Sequence, residues 1–422
     1  MKSDRVIVVI GSGAMGACLA QAAAQAGFQV EMFDIAPDRA REAQAEIARR
    51  FEMLAAKGEL SSVESRAAAA RVRAISSLDD LRHAECIIEA VSEDLALKRE
   101  VLRKAEAAAS PRSLLATSTT TLLLAAIADA VKHGERFVGM HLVRAEPSLR
   151  IVELVRAPAT SDQTMVSARA ICTRTGKSAV VVRDSAGFIG HRVHRQWLLA
   201  AMALADRGEA DIGTIDRVVR EVGGFANGPI EWLDEFGLDA DLVLAERLYA
   251  GLGKPARLAP GAVQRRLVES GHLGRKTGRG FYHYGDGQPV PAFETPGRSG
   301  EAWRPTPVLQ EFAAGLQLPA DRSSWILARI AAAVVSEAAI VGASIAAPRD
   351  VDSVMRLGFG YPDGPLALAD RIGLDVMQRL LLAFHQETDG DERYKASPLL
   401  DRHVRDGNLG EKTARGFLHH SL

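Results

Sequence analysis

Three groups of residues in this chain have the types and spacing to do chemistry. The first is a histidine and a glutamate. His141 closes the segment Gly139-Met140-His141, and Glu153 stands in Ile151-Val152-Glu153-Leu154. Both segments read as strands, and a short loop holding Pro147 joins them, so the two can lie side by side. A carboxylate facing an imidazole fixes its tautomer and stabilises its charged form. That equips a general base to take a hydroxyl proton while hydride leaves the same carbon. Spacing alone leaves a second reading open, a core histidine satisfied by an unrelated carboxylate.

The second group is the turn Gly11-Ser12-Gly13-Ala14-Met15-Gly16, which follows the β-branched run Val6 to Ile10. Gly11 permits a tight turn, Gly13 lets backbone approach a pyrophosphate, and Gly16 lets a helix sit close to the strand. The helix that starts inside the turn then offers N–H groups and a partial positive charge, with Ala14 and Met15 counted with the three glycines as cofactor-binding candidates. Asp34 ends the next strand, 23 positions after Gly11. It can accept hydrogen bonds from a ribose diol, and its charge repels a 2′-phosphate, which favours NAD over NADP. The competing reading is a strand–helix–strand unit that binds nothing. The third group is the hydroxyl run Thr117-Ser118-Thr119-Thr120-Thr121, between a strand and a helix. Ligands bind beyond the carboxyl ends of strands, so the run should face the cofactor. Capping of the following helix is its alternative role.

The elements that must position these groups alternate. Strands are expected at 6–10, 28–33, 86–91, 114–117, 137–141, 151–155 and 179–182. Helices are expected at 17–26, 37–57, 61–71, 95–109, 122–131 and 164–174. This alternation predicts an α/β Rossmann-type, doubly wound parallel sheet over residues 1–184. From Gly187 the pattern is helical and duplicated. Gly228-Pro229, Asp234 and Gly237-Leu238-Asp239 recur as Gly364-Pro365, Asp370 and Gly373-Leu374-Asp375. Gly274, Lys276-Thr277 and Arg279-Gly280-Phe281 recur as Gly410, Lys412-Thr413 and Arg415-Gly416-Phe417, and every pair is 136 residues apart. Two all-α domains are therefore expected, 185–285 and 308–422, with Asp286 to Pro307 as the linker.

Composition bounds the rest. The chain has 422 residues, 47% hydrophobic and 25% charged, the balance of a globular protein and not of a disordered, collagenous or coiled-coil chain. Lys and Arg total 52 against 53 Asp and Glu, so there is no global field to hold nucleic acid or an anionic membrane. Three cysteines in no Cys/His spacing argue against a disulfide framework or a metal site. The apolar segment after Met1 is too short for a signal sequence, and Ile326 to Ala347, broken by Arg329 and Glu337, reads as a buried helix. A cytoplasmic protein is expected, with no nucleic-acid or membrane partner.

Together the motifs resemble the L-3-hydroxyacyl-CoA dehydrogenase family, in its bacterial form with tandem C-terminal helical domains. The likeness rests on the glycine turn, Ile88-Glu89-Ala90-Val91 with Glu93 and Lys98, and the hydroxyl run. It also rests on Gly139-Met140-His141 with Glu153, on Gly187-Phe188-Ile189, and on Gly274 to Tyr282. The resemblance implies NAD-dependent, reversible oxidation of a 3-hydroxyacyl-CoA to the 3-oxoacyl-CoA. It makes His141 the general base and acid, Glu153 its orienter and Thr120 the substrate-contacting hydroxyl. It sets Glu93 and Lys98 along the nicotinamide half of NAD. Lys57, with Arg49 and Arg50, falls where the family carries CoA phosphates. The helical modules imply a homodimer or a monomer with an internal pseudo-dimer.

The chain departs from the family around the reacting carbon. The usual Phe-Phe-Asn-Pro after the histidine is Leu142-Val143-Arg144-Ala145; Ser118 and His191 replace two further asparagines. A guanidinium suits a carboxylate, so an altered substrate pocket is expected around Arg144 and His191, with His191 counted among the catalytic-site residues. The alternatives are a dehydrogenase of a non-thioester 3-hydroxy acid, carnitine-like or sugar-acid-like, and an NAD-binding protein without efficient turnover.

Overall fold

A computed structural model describes residues 5–285, 287–292 and 303–420. The chain divides after Phe188 into two compact units. Half of the linker expected over 286–307 lies outside the described residues.

The first unit is built on β1 (Val6–Ile10), α1 (Ala14–Gln25), β2 (Gln29–Phe33), α2 (Pro37–Ala56), α3 (Ser62–Ala69) and β3 (Val72–Ala74). There follow β4 (Ala84–Glu89), α4 (Leu95–Ala108), β5 (Leu114–Thr117), α5 (Leu124–Ala128), β6 (Phe137–His141), β7 (Ile151–Arg156), α6 (Asp162–Arg174) and β8 (Ser178–Arg183). The eight strands lie in the order β3-β2-β1-β4-β5-β6-β7-β8. β1 pairs with both β2 and β4, so the order reverses there, the position where such sheets open a ligand crevice. The runs read as doubly buried strands are so: Val8, Val9, Val30, Ile87 and Leu115 have no exposed surface. Cys18, Cys86 and Cys172 are free and buried in this unit.

Two expectations are corrected. The sheet is not wholly parallel, because β6 and β7 run antiparallel. Segment 142–150 is too short to hold the crossover that a parallel return requires. The helix expected over 122–131 is confined to Leu124–Ala128, and β3, which extends the sheet beside β2, was not foreseen.

The second unit contains α7 (Gly190–Asp206), α8 (Ile212–Glu221), α9 (Pro229–Phe236), α10 (Leu238–Gly251) and α11 (Ala262–Glu269). After α12 (Pro307–Gly315) come α13 (Arg322–Ser344), α14 (Pro348–Phe359), α15 (Pro365–Ile372), α16 (Leu374–Glu387) and α17 (Pro398–Arg405). Shifted by 136, α9, α10 and α11 fall on α15, α16 and α17. The repeated residues show why the motif is kept. Asp216 accepts the N–H groups of Ile230 and Glu231 at the start of α9, both at 2.9 Å, and Asp352 does the same for Leu366 and Ala367 at α15. A Cβ on Gly228 would stand 2.3 Å from Asp216, and one on Gly364 2.2 Å from Asp352. Asp234 and Asp370 hold the Gly-Phe turns through the backbone of Phe281, Tyr282, Phe417 and Leu418. These aspartates and glycines are structural.

α7 and α13, counterparts in the repeat, pack against each other. Glu337 of α13, fully buried, meets Arg192 of α7 at 2.6 Å and Arg257 at 2.6 Å. α13 is long and apolar enough to cross a membrane by length and composition; here most of its surface is covered inside the unit.

Candidate active site

The glycine turn has the geometry its sequence implies. Gly11 sits at φ +104°, and a Cβ there would come 2.5 Å from the carbonyl oxygen of Ala90. A Cβ on Gly16 would come 1.9 Å from the carbonyl oxygen of Gly11, so α1 rests directly on the turn. Gly13 differs: a Cβ there would meet nothing within 4 Å. Protein packing does not demand that glycine, and the space before it is what a pyrophosphate needs. No side chain caps α1, whose first N–H groups, from Ala14 and Met15, have no partner within the helix.

Asp34 follows β2. Its Oδ2 accepts from Ser12 N (2.9 Å) and Ser12 Oγ (2.7 Å), and its Oδ1 accepts from Ala36 N (3.1 Å). Burial pushes its pKa up, but these hydrogen bonds and Arg39 outweigh it, leaving the carboxyl below its ordinary range. It is an ionised acceptor beside the turn, with lone pairs left for ribose hydroxyls. These residues fit a dinucleotide.

Next to the turn lies a network that sequence reasoning saw only in part. Glu89, fully buried at the end of β4, accepts from Val91 N (2.7 Å), Lys98 Nζ (2.9 Å) and Thr117 Oγ1 (2.7 Å). Lys98 also reaches Glu93 at 3.4 Å and the carbonyl of Val91 at 3.2 Å. One oxygen of Glu93 gathers the hydroxyl run, accepting from Thr119 Oγ1 (2.8 Å), Thr120 N (2.9 Å), Thr121 N (2.7 Å), Thr121 Oγ1 (3.0 Å) and Leu122 N (3.3 Å). Burial raises the pKa of Glu93, but the ammonium of Lys98 and these donors lower it further, to about 2. Lys98 is 1% exposed and supports this loop from beneath through Glu89, Glu93 and the carbonyl of Val91. Glu89 and Thr117 stood in the sequence as members of a motif and of the hydroxyl run, but their contact with each other and with Lys98 was not foreseen.

The run does not cap α5. Asp184 does, accepting from Leu124 N and Ala125 N at 2.9 and 2.8 Å. Ser118 is held through its N–H to the carbonyl of Glu89 (2.9 Å). Thr120 accepts Gly187 N on its carbonyl (2.9 Å); among the described residues, its hydroxyl is not committed to Glu93 as those of Thr119 and Thr121 are.

His141 and Glu153 are directly paired across β6 and β7. Nδ1 lies 2.6 Å from Glu153 Oε2, and the two residues are 1% and 0% exposed. A carboxylate only accepts, so Nδ1 carries the proton of this contact and Nε2 is left as the basic nitrogen. The ring of Phe188 stands 5.2 Å from the imidazole, held by a backbone at φ +46° that follows Gly187 at φ +73°. β6 runs parallel to β5, as β5 does to β4 and β4 to β1, so His141 ends its strand at the same edge as the glycine turn.

The remaining residues are less concentrated. Arg144, about one-third exposed, pairs with Glu146 at 3.1 Å. Arg49 and Arg50 are both tied to Glu46 on their own helix. Lys57, at the end of α2, is exposed and lines a cavity of about 550 Å3 with Gln21, Gln25, Ser148 and Arg174. His191 belongs to the helical unit, where its ring stands edge-on to Phe359 at 5.6 Å. Among the described residues no cluster of three or more His, Cys, Asp or Glu could hold a metal.

Comparison with known proteins agrees with this geometry. Residues 6–185 match the model of the 3-hydroxyacyl-CoA dehydrogenase NAD-binding domain, and residues 187–284 and 325–420 match the C-terminal domain of that family. A probable 3-hydroxybutyryl-CoA dehydrogenase of Bacillus subtilis is 34% identical over 278 residues, covering 66% of this chain and 96% of that protein. A 3-hydroxyadipyl-CoA dehydrogenase of Escherichia coli is 28% identical over 464 aligned positions, 95% of this chain and 97% of that one. The crystal structure of an E. coli 3-hydroxybutyryl-CoA dehydrogenase superposes with a TM-score of 0.83 at 26% identity, over 96% of this chain and 99% of that one.

Proposed function

Because the chain belongs to the 3-hydroxyacyl-CoA dehydrogenase family and is an NAD-dependent oxidoreductase, we propose that it oxidises a 3-hydroxyacyl-CoA reversibly to the 3-oxoacyl-CoA, through a substrate pocket that differs from the family's. Bound NAD supplies the hydride acceptor. His141 Nε2 takes the proton of the 3-hydroxyl as the carbon–hydrogen bond gives up its hydride, and returns it in reduction. Glu153 keeps Nδ1 protonated and offsets the charge that the ring acquires. Gly11, Gly13, Ala14, Met15 and Gly16 hold the pyrophosphate, and Asp34 the adenosine ribose. Glu93 fixes the loop that carries Ser118 and Thr120, so the Thr120 hydroxyl is presented at a set position.

The observation that carries this reading is the 2.6 Å His141–Glu153 contact on paired strands, at the sheet edge that bears the glycine turn. The finer reading concerns the residues after His141. Leu142-Val143-Arg144-Ala145 replaces an amide and a proline with a guanidinium and an alanine, so the substrate carries a group that exchanges with Glu146 for Arg144. Lys57, which among the described residues has no ion pair such as those that hold Arg49 and Arg50, meets the CoA phosphates.

Reduction of acetoacetyl-CoA by NADH, followed at 340 nm beside oxidation of free 3-hydroxy acids, tests the substrate class. Oxidation of a free acid with inert thioesters overturns it. His141→Gln should abolish turnover while NADH affinity, read by fluorescence, stays within a few-fold; unchanged turnover removes His141 from the mechanism.

A further inference from the structure

The helical unit contains a cavity of about 470 Å3 lined by apolar side chains, among them Trp197, Phe225, Leu327, Ile330, Val334 and Tyr361. Its size falls within the ~300–1,000 Å3 of small-molecule sites. Two polar atoms of its walls are buried with no hydrogen-bond partner among the described residues, the phenol oxygen of Tyr361 and the indole nitrogen of Trp197. Buried donors in native folds are nearly always matched, and an unmatched pair beside an apolar hollow calls for an acceptor that the protein does not supply.

The hollow lies between the two copies, and the second copy's side of its wall differs from the matching residues of the first. On the 136-residue register, Leu327 and Ile330 of α13 occupy the places of His191 and His194 of α7, and Ala331 that of Arg195. In the first copy Arg195 is salted to Asp241 at 2.7 Å and Gln264 reaches the same carboxylate. In the second copy those three positions are Ala331, Met377 and Leu400. The second copy has thus exchanged the polar face for an apolar one. Phe225 and Tyr361, themselves repeat mates, meet edge to face at 4.9 Å on its wall. At the rim Arg371 pairs with Asp363.

We propose that this cavity is a second ligand site, for a medium-length acyl group. The chain would fill the space between Leu327, Ile330 and Val334, and the carbonyl oxygen would accept from Tyr361 O–H and Trp197 N–H. The choice of an acyl group rests on the substrate reading above; the cavity and its two unmatched donors do not. A free carboxylic acid and a CoA thioester share this chemistry, and the test separates them.

Octanoate and octanoyl-CoA are titrated calorimetrically into the full chain saturated with NADH. Octanoate is expected to bind one site per chain. Ala331→Phe, which fills the cavity with a side chain close in volume to the arginine at the same place in the first copy, should weaken it at least tenfold. Tyr361→Phe, which removes only the hydroxyl, should weaken it about tenfold without lowering the melting temperature. If octanoate is silent but octanoyl-CoA loses one of two sites in Ala331→Phe, the thioester is the ligand. If neither probe responds to either variant, the proposal is overturned, whether or not the enzyme turns over. Binding that responds to the variants in a chain inert towards every thioester sustains the cavity and overturns the dehydrogenase reading instead.

Discussion

Glu93→Gln removes one charge from the loop that carries the hydroxyl run, and its cost can be worked from the geometry. Five donors converge on one oxygen of Glu93, and Lys98 lies 3.4 Å from the other. Holding this carboxyl at about 2 instead of its ordinary 4.5 is worth roughly 3 kcal/mol, at about 1.4 kcal/mol per tenfold. The folded value is depressed, so the stabilisation is present above about pH 4.5 and is lost as pH falls towards about 2. Gln keeps the size but not the charge, and leaves the buried ammonium of Lys98 shared between Glu89 and a neutral amide. Urea unfolding from pH 2 to pH 7 should show the wild type gaining roughly 3 kcal/mol more than the variant across this window. In the same variant kcat should fall, because Thr120 and Ser118 lose their fixed positions, and NADH binding should change far less. Parallel pH profiles for the two proteins would refute the argument that Glu93 is an ionised keystone of the loop.

Glu153→Gln should lower kcat by about 10²–10⁴-fold with NADH affinity within a few-fold, read by steady-state kinetics and fluorescence titration, since the imidazole loses its orienting charge. Gly13→Ala should leave the melting temperature unchanged, because its Cβ meets nothing within 4 Å, yet weaken NADH binding; Gly16→Ala, 1.9 Å from the Gly11 carbonyl oxygen, should lower both. Burial pushes Asp216 up to about 7 and Asp352 up to about 6. These raised carboxyls hold protons that the unfolded chain has already released above about pH 4, so the helical unit should lose stability as pH rises from about 4 and level off above about 7. Asp216→Asn should flatten that slope in denaturant unfolding, and an unchanged slope would show that its proton is not held.

What could be read from residue order was whatever local spacing encodes. The run Val6 to Ile10, the glycines behind it and Asp34 are contiguous enough to declare a strand, a turn and an acceptor. The His141–Glu153 pair was legible because a hairpin joins its strands, and the same hairpin makes one strand pair antiparallel. Features that depend on strand neighbours were not legible. Glu89, Thr117 and Lys98 converge only once β4 lies against β5 and α4 folds back over them. β3 carries three residues and no alternating pattern, and its place beside β2 follows from the α2–α3 hairpin. The repeat, by contrast, needed no geometry, because Asp216 and Asp352 and their paired glycines preserve one register throughout.

The Arg192–Glu337 contact has a consequence for assembly. At the equivalent places in the opposite copy stand Ala328 and Ala201. Were two first copies to associate with each other, each guanidinium would be sealed against a methyl group, and stranding a charge in a dry interior costs about 3–5 kcal/mol. At this contact the sister modules are complements and not interchangeable copies, and a fragment that held only the first would leave Arg192 without the carboxylate that Glu337 supplies.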